Sequence, residues 1–260
     1  MRLKTYVLNL DRHPDRLAAV ANQLDAQGID WERSPAFDAK AMAAKDLDAM
    51  VARTGPIPRM PDTARACTAG HYQILRSFLQ TDATHALVLE DDAVMSPHLA
   101  RDLPGIVSLL DDCLVNISRQ TPHGLTKKLA VKKFDAGLEL QYLHPELVGI
   151  HYGTAGYVVS RWAAQLILKL FPYPDMPIDH ILFNPNVSPL GKHIPVRQLF
   201  PALVKPSDEL TSSIQTVEVE GARSLRNQLK RAKAEISIAP RLLLGLLFGR
   251  YEIRVLDFYE

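Results

Sequence analysis

An excess of charge of either sign is missing from this chain of 260 residues: 30 lysines and arginines stand against 29 aspartates and glutamates, a formal net charge of +1. A nucleic-acid binder carries a marked basic excess, so that class is disfavoured and no nucleic-acid partner is expected. Cysteine is scarce. Cys67 and Cys113 are the only two, without paired metal-ligand spacing or the density of a secreted disulfide scaffold, so a reduced, cytoplasmic compartment is expected. Long apolar runs are lacking near the N-terminus, where Tyr6-Val7-Leu8 follows Arg2 and Lys4 but is interrupted at Asn9 and Asp11. That is far short of a signal-peptide core, and export is not expected. No glycine-rich fingerprint follows this first apolar segment, which disfavours a dinucleotide-dependent dehydrogenase. There is no internal repeat and no low-complexity tract.

What is present is ordinary globular material, 47% hydrophobic and 23% charged, enough for one substantial core. Residues 4–10 are rich in β-formers. Pro14 then opens a segment with Leu17, Val20, Ala21 and Leu24 at helical spacing, closed by Gly28, and residues 29–37 return as a second strand ending at Asp38. This predicts a βαβ unit whose strand ends make a ligand crevice. Residues 40–61 read as a short helix and an irregular loop rich in Gly55, Pro56, Pro58 and Pro61. A helix from Asp62 and Thr63 carries Ala66, Cys67, Ile74, Leu75, Phe78 and Leu79 inward, and Ala86-Leu87-Val88-Leu89 is a short, fully apolar strand. Further on, 99–110 and 162–170 read as helices, and 113–117, 138–143 and 157–159 as strands. Strands and helices alternating to residue 170 predict an α/β fold with a mainly parallel sheet.

The apolar strand runs directly into Glu90-Asp91-Asp92. Successive carboxylates at the end of a buried strand are costly unless a cation or hydrogen-bond donors compensate them, and in open α/β sheets ligands bind beyond the carboxyl ends of strands. Oxygen ligands suit Mn2+ or Mg2+, held by one or two carboxylates while phosphate oxygens and water complete the shell. Asp92 is the first candidate for direct ligand. Side chains alternate along an extended segment, so Glu90 would share its side and support the ion or a ribose, while Asp91 faces the scaffold. The alternative is that the acids cap a helix or sit in a solvated turn.

Four ordered blocks across about the first 215 residues resemble glycosyltransferase family 25, the lipooligosaccharide and collagen galactosyltransferase group. They are Tyr6-Val7-Leu8-Asn9-Leu10-Asp11-Arg12 with Pro14-Asp15-Arg16, Ala66-Cys67-Thr68-Ala69-Gly70-His71, Val88-Leu89-Glu90-Asp91-Asp92, and Gly153-Thr154-Ala155-Gly156-Tyr157-Val158-Val159-Ser160. Pro177-Ile178-Asp179 is similar to the family's late acidic motif. The pattern departs at Ala39, Ala66, Gly70 and Leu75, where the family often has Gly, Gly, Ser and Trp. The resemblance implies a GT-A type fold, a nucleotide-sugar donor, a divalent cation and inversion at the anomeric carbon. It favours UDP-galactose as donor, while the missing export and retention signals favour a lipooligosaccharide or LPS-type saccharide, lipid-linked in the cell, over collagen as acceptor class.

Within that resemblance each residue has a candidate role and an ordinary alternative. Arg12 and Arg16, in the loop after the first strand, suit phosphate or base contacts, or are simply charges at a helix start. Asn9, Leu10 and Asp38 lie at strand ends and suit uracil and ribose; Asp38 could equally be a turn residue. His71 joins the donor set through its block, although a lone helical histidine is more often structural. An inverting transfer needs a base near the acceptor hydroxyl; Asp179 is the candidate, with a helix N-cap as its alternative. His151 and His193 are minor metal-ligand candidates. Residues 1–215 would form the transferase domain and 216–260 a basic amphipathic tail. There Arg223, Arg226, Lys230, Arg231 and Lys233 accompany Leu225, Leu229, Ala232 and Ile236, and Leu242-Leu243-Leu244-Gly245-Leu246-Leu247-Phe248 follows, too short for the ~20 residues that span a bilayer. The tail could dock on the anionic inner face of the cytoplasmic membrane, pack on the domain, or form an oligomer contact. A nucleotide-sugar or glycan binding protein without turnover and a metal-dependent phosphohydrolase are the competing functions.

Overall fold

The computed structural model describes residues 2–56, 60–108, 114–119, 127–132, 146–207 and 239–260. In chain order its elements are β1 (Leu3–Asn9), α1 (Pro14–Ala26), β2 (Trp31–Pro35), α2 (Ala44–Met50), α3 (Asp62–Leu79), β3 (His85–Glu90), β4 (Ala93–Met95), α4 (Leu99–Ser108) and β5 (Leu114–Asn116). There follow β6 (Lys127–Lys132), β7 (Gly156–Ser160), α5 (Arg161–Leu170), α6 (Ile178–Phe183), a 3-10 turn (Leu190–Lys192), β8 (Val196–Gln198), β9 (Val204–Pro206), α7 (Ala239–Leu247) and β10 (Tyr251–Leu256). The strand read at 138–143 and the basic helix read at 223–236 lie outside the described residues.

Local chemistry sets the element ends. Pro14 opens α1, where its missing N–H costs no helical bond. Gly28 closes the turn after α1 at φ 66, a region glycine enters without strain, and Ile29 N–H returns to Leu24 O at 3.0 Å. Ser160 caps α5, its Oγ accepting from Ala163 N at 3.1 Å.

Six strands form the central sheet in the order β2-β1-β3-β7-β5-β8. The pairings β1–β2, β1–β3 and β5–β8 are parallel, and β7 alone runs against its neighbours β3 and β5. The sheet is therefore mainly parallel in an α/β fold, with one reversed strand that the alternation of elements does not reveal. Period-two alternation sends side chains to opposite faces. Tyr6, Leu8, Ala86, Val88 and Tyr157 pack with α3, α5 and α6 on one face; Val7, Leu87, Leu89 and Val158 pack with α1 and α4 on the other. Both faces are thus covered, which is why these strands read as continuous apolar runs.

The C-terminal region is more than a helix. β10 pairs antiparallel with β6, Phe258 bridges to Ala202, and Tyr259 N donates to Ala202 O at 2.9 Å, so the last residues pack on the body of the protein. No helix among the described residues is long and apolar enough to cross a membrane.

Candidate active site

β3 delivers the acidic triplet at its carboxyl end. Glu90 is the strand's last residue, and Asp91 and Asp92 form the turn into β4. That turn is fastened from outside, Ser207 N donating to Asp92 O at 2.7 Å just beyond β9, which pairs with β4.

Each of the three carboxylates has its own hydrogen-bond surroundings. Glu90 continues the alternation of Ala86 and Val88 and turns toward α3 and β7. There His71 Nε2 lies 3.3 Å from Glu90 Oε1, and the Thr154 hydroxyl donates to the same oxygen. His71 is itself fully buried, with Nδ1 3.0 Å from the Tyr157 hydroxyl. Burial pushes the Glu90 carboxyl up, but the bonds from His71 and Thr154 outweigh it and hold it below its ordinary value. His71 therefore bridges Tyr157 and Glu90, with Nε2 turned to the end of β3.

Asp91 points to the other side, as alternation predicts. Its Oδ2 accepts from Asn9 Nδ2 at 2.8 Å, and Arg16 Nη1 lies 3.4 Å from its Oδ1. Asn9 in turn accepts from Arg33 Nε at 3.0 Å through Oδ1. Arg33, on β2, was not among the residues singled out from sequence; only the parallel pairing of β1 with β2 brings it there.

Asp92 is the member with an unpartnered oxygen. Its Oδ1 is enclosed and has no hydrogen-bond partner among the described residues. Burial first, then the charges of Glu90 and Asp91, push its pKa up to about 7, against a partial pull down from Arg16. A half-buried carboxyl with one enclosed oxygen, in the field of two other acids, is a position where a cation is favourable, so these residues fit a hard divalent ion.

The other predicted residues fall around this centre. Arg12 and Asp38 pair with each other, joining the loop after β1 to the loop after β2. Asp38 also shapes that loop, its Oδ1 accepting from Lys40 N at 2.9 Å. Leu10 is half-buried and its carbonyl accepts from His13 N at 2.9 Å. Asp179 is the second residue of α6, not its N-cap, which is Pro177. Its Oδ2 accepts from Gly153 N at 3.2 Å and its Oδ1 from His180 N at 2.9 Å. Gly153 has φ 94, a conformation L side chains avoid, so the turn before β7 ties Asp179 on one side to Glu90, through Thr154, on the other. His151 is buried with Nδ1 2.5 Å from Gln198 Oε1, and His193 is exposed; neither joins a group of three or more metal-ligand side chains among the described residues.

Cys67, read from sequence as a core position of its helix, stands beside Glu90 and His71. Burial first, then the charges of Glu90, Asp179, Asp92 and Asp91, push its thiol well up. A cavity of about 170 Å3 lined by Phe37, Met50, Ala69, Tyr72, Gln73 and Arg76 lies against α3, and the triplet is not part of its wall.

Comparison with known proteins follows the same blocks. The model of a family described as Glycosyltransferase family 25 (LPS biosynthesis protein) matches residues 2–182. A "Glycosyltransferase 25 family member" of Aedes aegypti is 28% identical over 203 residues, covering 70% of this chain and 32% of that protein. "Procollagen galactosyltransferase 1" of Danio rerio is 26% identical over 269 residues, covering 90% of this chain and 43% of that protein. "Lacto-N-neotetraose biosynthesis glycosyltransferase LgtB" of Neisseria meningitidis serogroup B is 24% identical over 211 residues, covering 77% of this chain and 74% of that protein. The chain spans less than half the length of the mosquito and fish relatives.

Proposed function

The chain belongs to glycosyltransferase family 25, and from that premise we propose that it transfers a hexose, galactose, from UDP-galactose to a lipooligosaccharide or LPS-type saccharide with inversion at the anomeric carbon. The observation that carries this reading is the enclosed, unpartnered Oδ1 of Asp92 in the field of the Glu90 and Asp91 carboxylates. Asp92 is the residue to hold Mn2+ or Mg2+, with Glu90 as the second carboxylate. The bound ion supplies charge neutralisation for the departing diphosphate.

The chain's own residues do the rest. Glu90, braced by His71 and Thr154, is kept ionised and oriented toward the donor. Arg16, beside Asp91, presents a guanidinium at the carboxyl end of β1, where phosphate is to be read, and the buried Asn9 amide braces Asp91 from behind. The Arg12–Asp38 pair joins the loops flanking the ribose. Asp179 takes the proton of the acceptor hydroxyl as that oxygen bonds to the anomeric carbon and the bond to the diphosphate breaks. Its tie to Gly153 fixes the carboxylate relative to Glu90, which positions a base across the donor from the leaving group. The enzyme works in the cytoplasm at the inner membrane face on a lipid-linked acceptor, a placement supported by the exposed apolar side chains of α7.

Incubation with a panel of UDP-sugars, with and without Mn2+, tests the reading through nucleotide release and thermal stability. Metal-dependent stabilisation of about 2.7 kcal/mol at a donor concentration a hundred times its Kd, with release of UDP from that donor alone, is expected. Binding with no release over a broad acceptor panel would leave a nucleotide-sugar binding protein; no binding of any UDP-sugar would overturn both.

A further inference from the structure

Cys67 and His71 stand four residues apart on α3, one turn from each other on the same helix face. That face meets the end of β3. The Cys67 thiol, a His71 ring nitrogen and a Glu90 carboxylate oxygen all lie within 4.8 Å of one another, and His71 Nε2 is 3.3 Å from Glu90 Oε1. Ligand atoms about 2.0–2.3 Å from a tetrahedral ion are separated by roughly 3.3–3.7 Å, so the nitrogen–oxygen pair already has that spacing.

We propose that Cys67, His71 and Glu90 form a second metal site, which takes a thiolate-preferring divalent ion of the zinc class and leaves its fourth position open. The donor set decides the class: sulfur and imidazole favour zinc-like ions, whereas an oxygen-only set favours magnesium or manganese. The surroundings match those of a held ligand. Tyr157 hydroxyl engages His71 Nδ1 at 3.0 Å and so directs Nε2 at the site, the outer contact that metal-bound histidines ordinarily have. Thr154 does the same for Glu90. Cys67 and Glu90 are half-buried while His71 is enclosed, which leaves an entry path. The thiol proton passes to solvent as the sulfur–metal bond forms. Glu90 is shared with the proposed donor site, but binding here does not depend on that reading.

The test uses the full chain carrying Cys113→Ser, so that Cys67 is its one thiol, and Co2+ as a spectroscopic probe. Saturating Co2+ is expected to give a thiolate-to-cobalt charge-transfer band in the near ultraviolet, removed by Zn2+ at one equivalent per chain. Adding Cys67→Ser removes the band. Tyr157→Phe, which keeps the ring and deletes only the hydroxyl, weakens Zn2+ binding about 10–100-fold. Asp92→Asn leaves the band unchanged, separating this site from the proposed Mn2+ site. Absence of the band from the Cys113→Ser chain, its persistence after Cys67→Ser, or an unchanged Zn2+ affinity in Tyr157→Phe overturns the proposal.

Discussion

At the scale of single residues, Asp92 and Asp179 separate the two halves of the proposed reaction. Asp92→Asn is expected to remove Mn2+ dependence from donor binding, measured by titrating UDP-galactose at fixed Mn2+; unchanged affinity would show that the ion sits elsewhere. The metal-free protein gives a second readout. An acid whose folded pKa is raised to about 7, above an unfolded value of about 3.9, contributes stability that is complete below the unfolded value and is lost as pH rises through the folded one. Metal-free wild type should thus lose on the order of 4 kcal/mol between about pH 4 and pH 8 from this group, and Asp92→Asn should lose correspondingly less. Equal pH slopes in denaturant titrations would contradict the buried, crowded carboxylate. Asp179→Asn keeps shape and removes basicity, so donor binding should persist while transfer falls about 10^2- to 10^4-fold. Full transfer by that variant would remove Asp179 as base. Much of this level is legible in the sequence, because an apolar strand ending in acids dictates both their place and the opposite facing of Glu90 and Asp91. Cys67 and Arg33 are not legible. Their approach to Glu90 and Asn9 depends on how a helix seats on the sheet and which strand lies beside β1, as where a Cβ on Gly70 would come within 2.8 Å of Leu8 Cδ1.

At the scale of elements, the reversed strand makes the site. Tyr157, Val158 and Val159 are buried, and an apolar run covered on both faces carries no mark of its direction. Reversal brings the start of β7 to the end of β3: Gly156 pairs with Leu89, and Glu90 N donates to Ala155 O at 3.2 Å. A parallel strand would place its other end there, and Thr154 would not reach Glu90. The turn that makes the approach requires Gly153 at positive φ. Gly153→Ala is expected to cost about 1–3 kcal/mol, read as a lower denaturation midpoint at constant slope. Because Gly153 N holds Asp179 and its neighbour Thr154 holds Glu90, transfer should fall further than stability alone accounts for. Loss of stability with undiminished turnover at a temperature where the variant is folded would show that the turn only connects.

At the scale of the whole molecule, the C-terminal region presents an apolar surface on a fixed support. α7 exposes Leu243, Leu244 and Leu247, and Phe248 follows in the turn just beyond it, the last two at 78% and 74%. The helix is seated on β10, since a Cβ on Gly245 would fall 2.0 Å from the Tyr251 ring, and β10 is paired to β6. Ile253 and Val255 are exposed on β10 itself. The sequence shows the apolar run and its insufficient length for a span; pairing of β10 with β6 is a contact across more than a hundred residues that no local pattern encodes. Burying a large apolar side chain in a bilayer interface contributes about 1.5–3 kcal/mol, so replacing two of them with carboxylates should outweigh any electrostatic attraction from the basic residues preceding the helix. Leu247→Glu with Phe248→Glu is therefore expected to reduce co-sedimentation with phosphatidylserine-containing vesicles at least about tenfold, with thermal stability unchanged because both positions are already solvated. If the double variant pellets as well as wild type, this surface is not what meets the membrane.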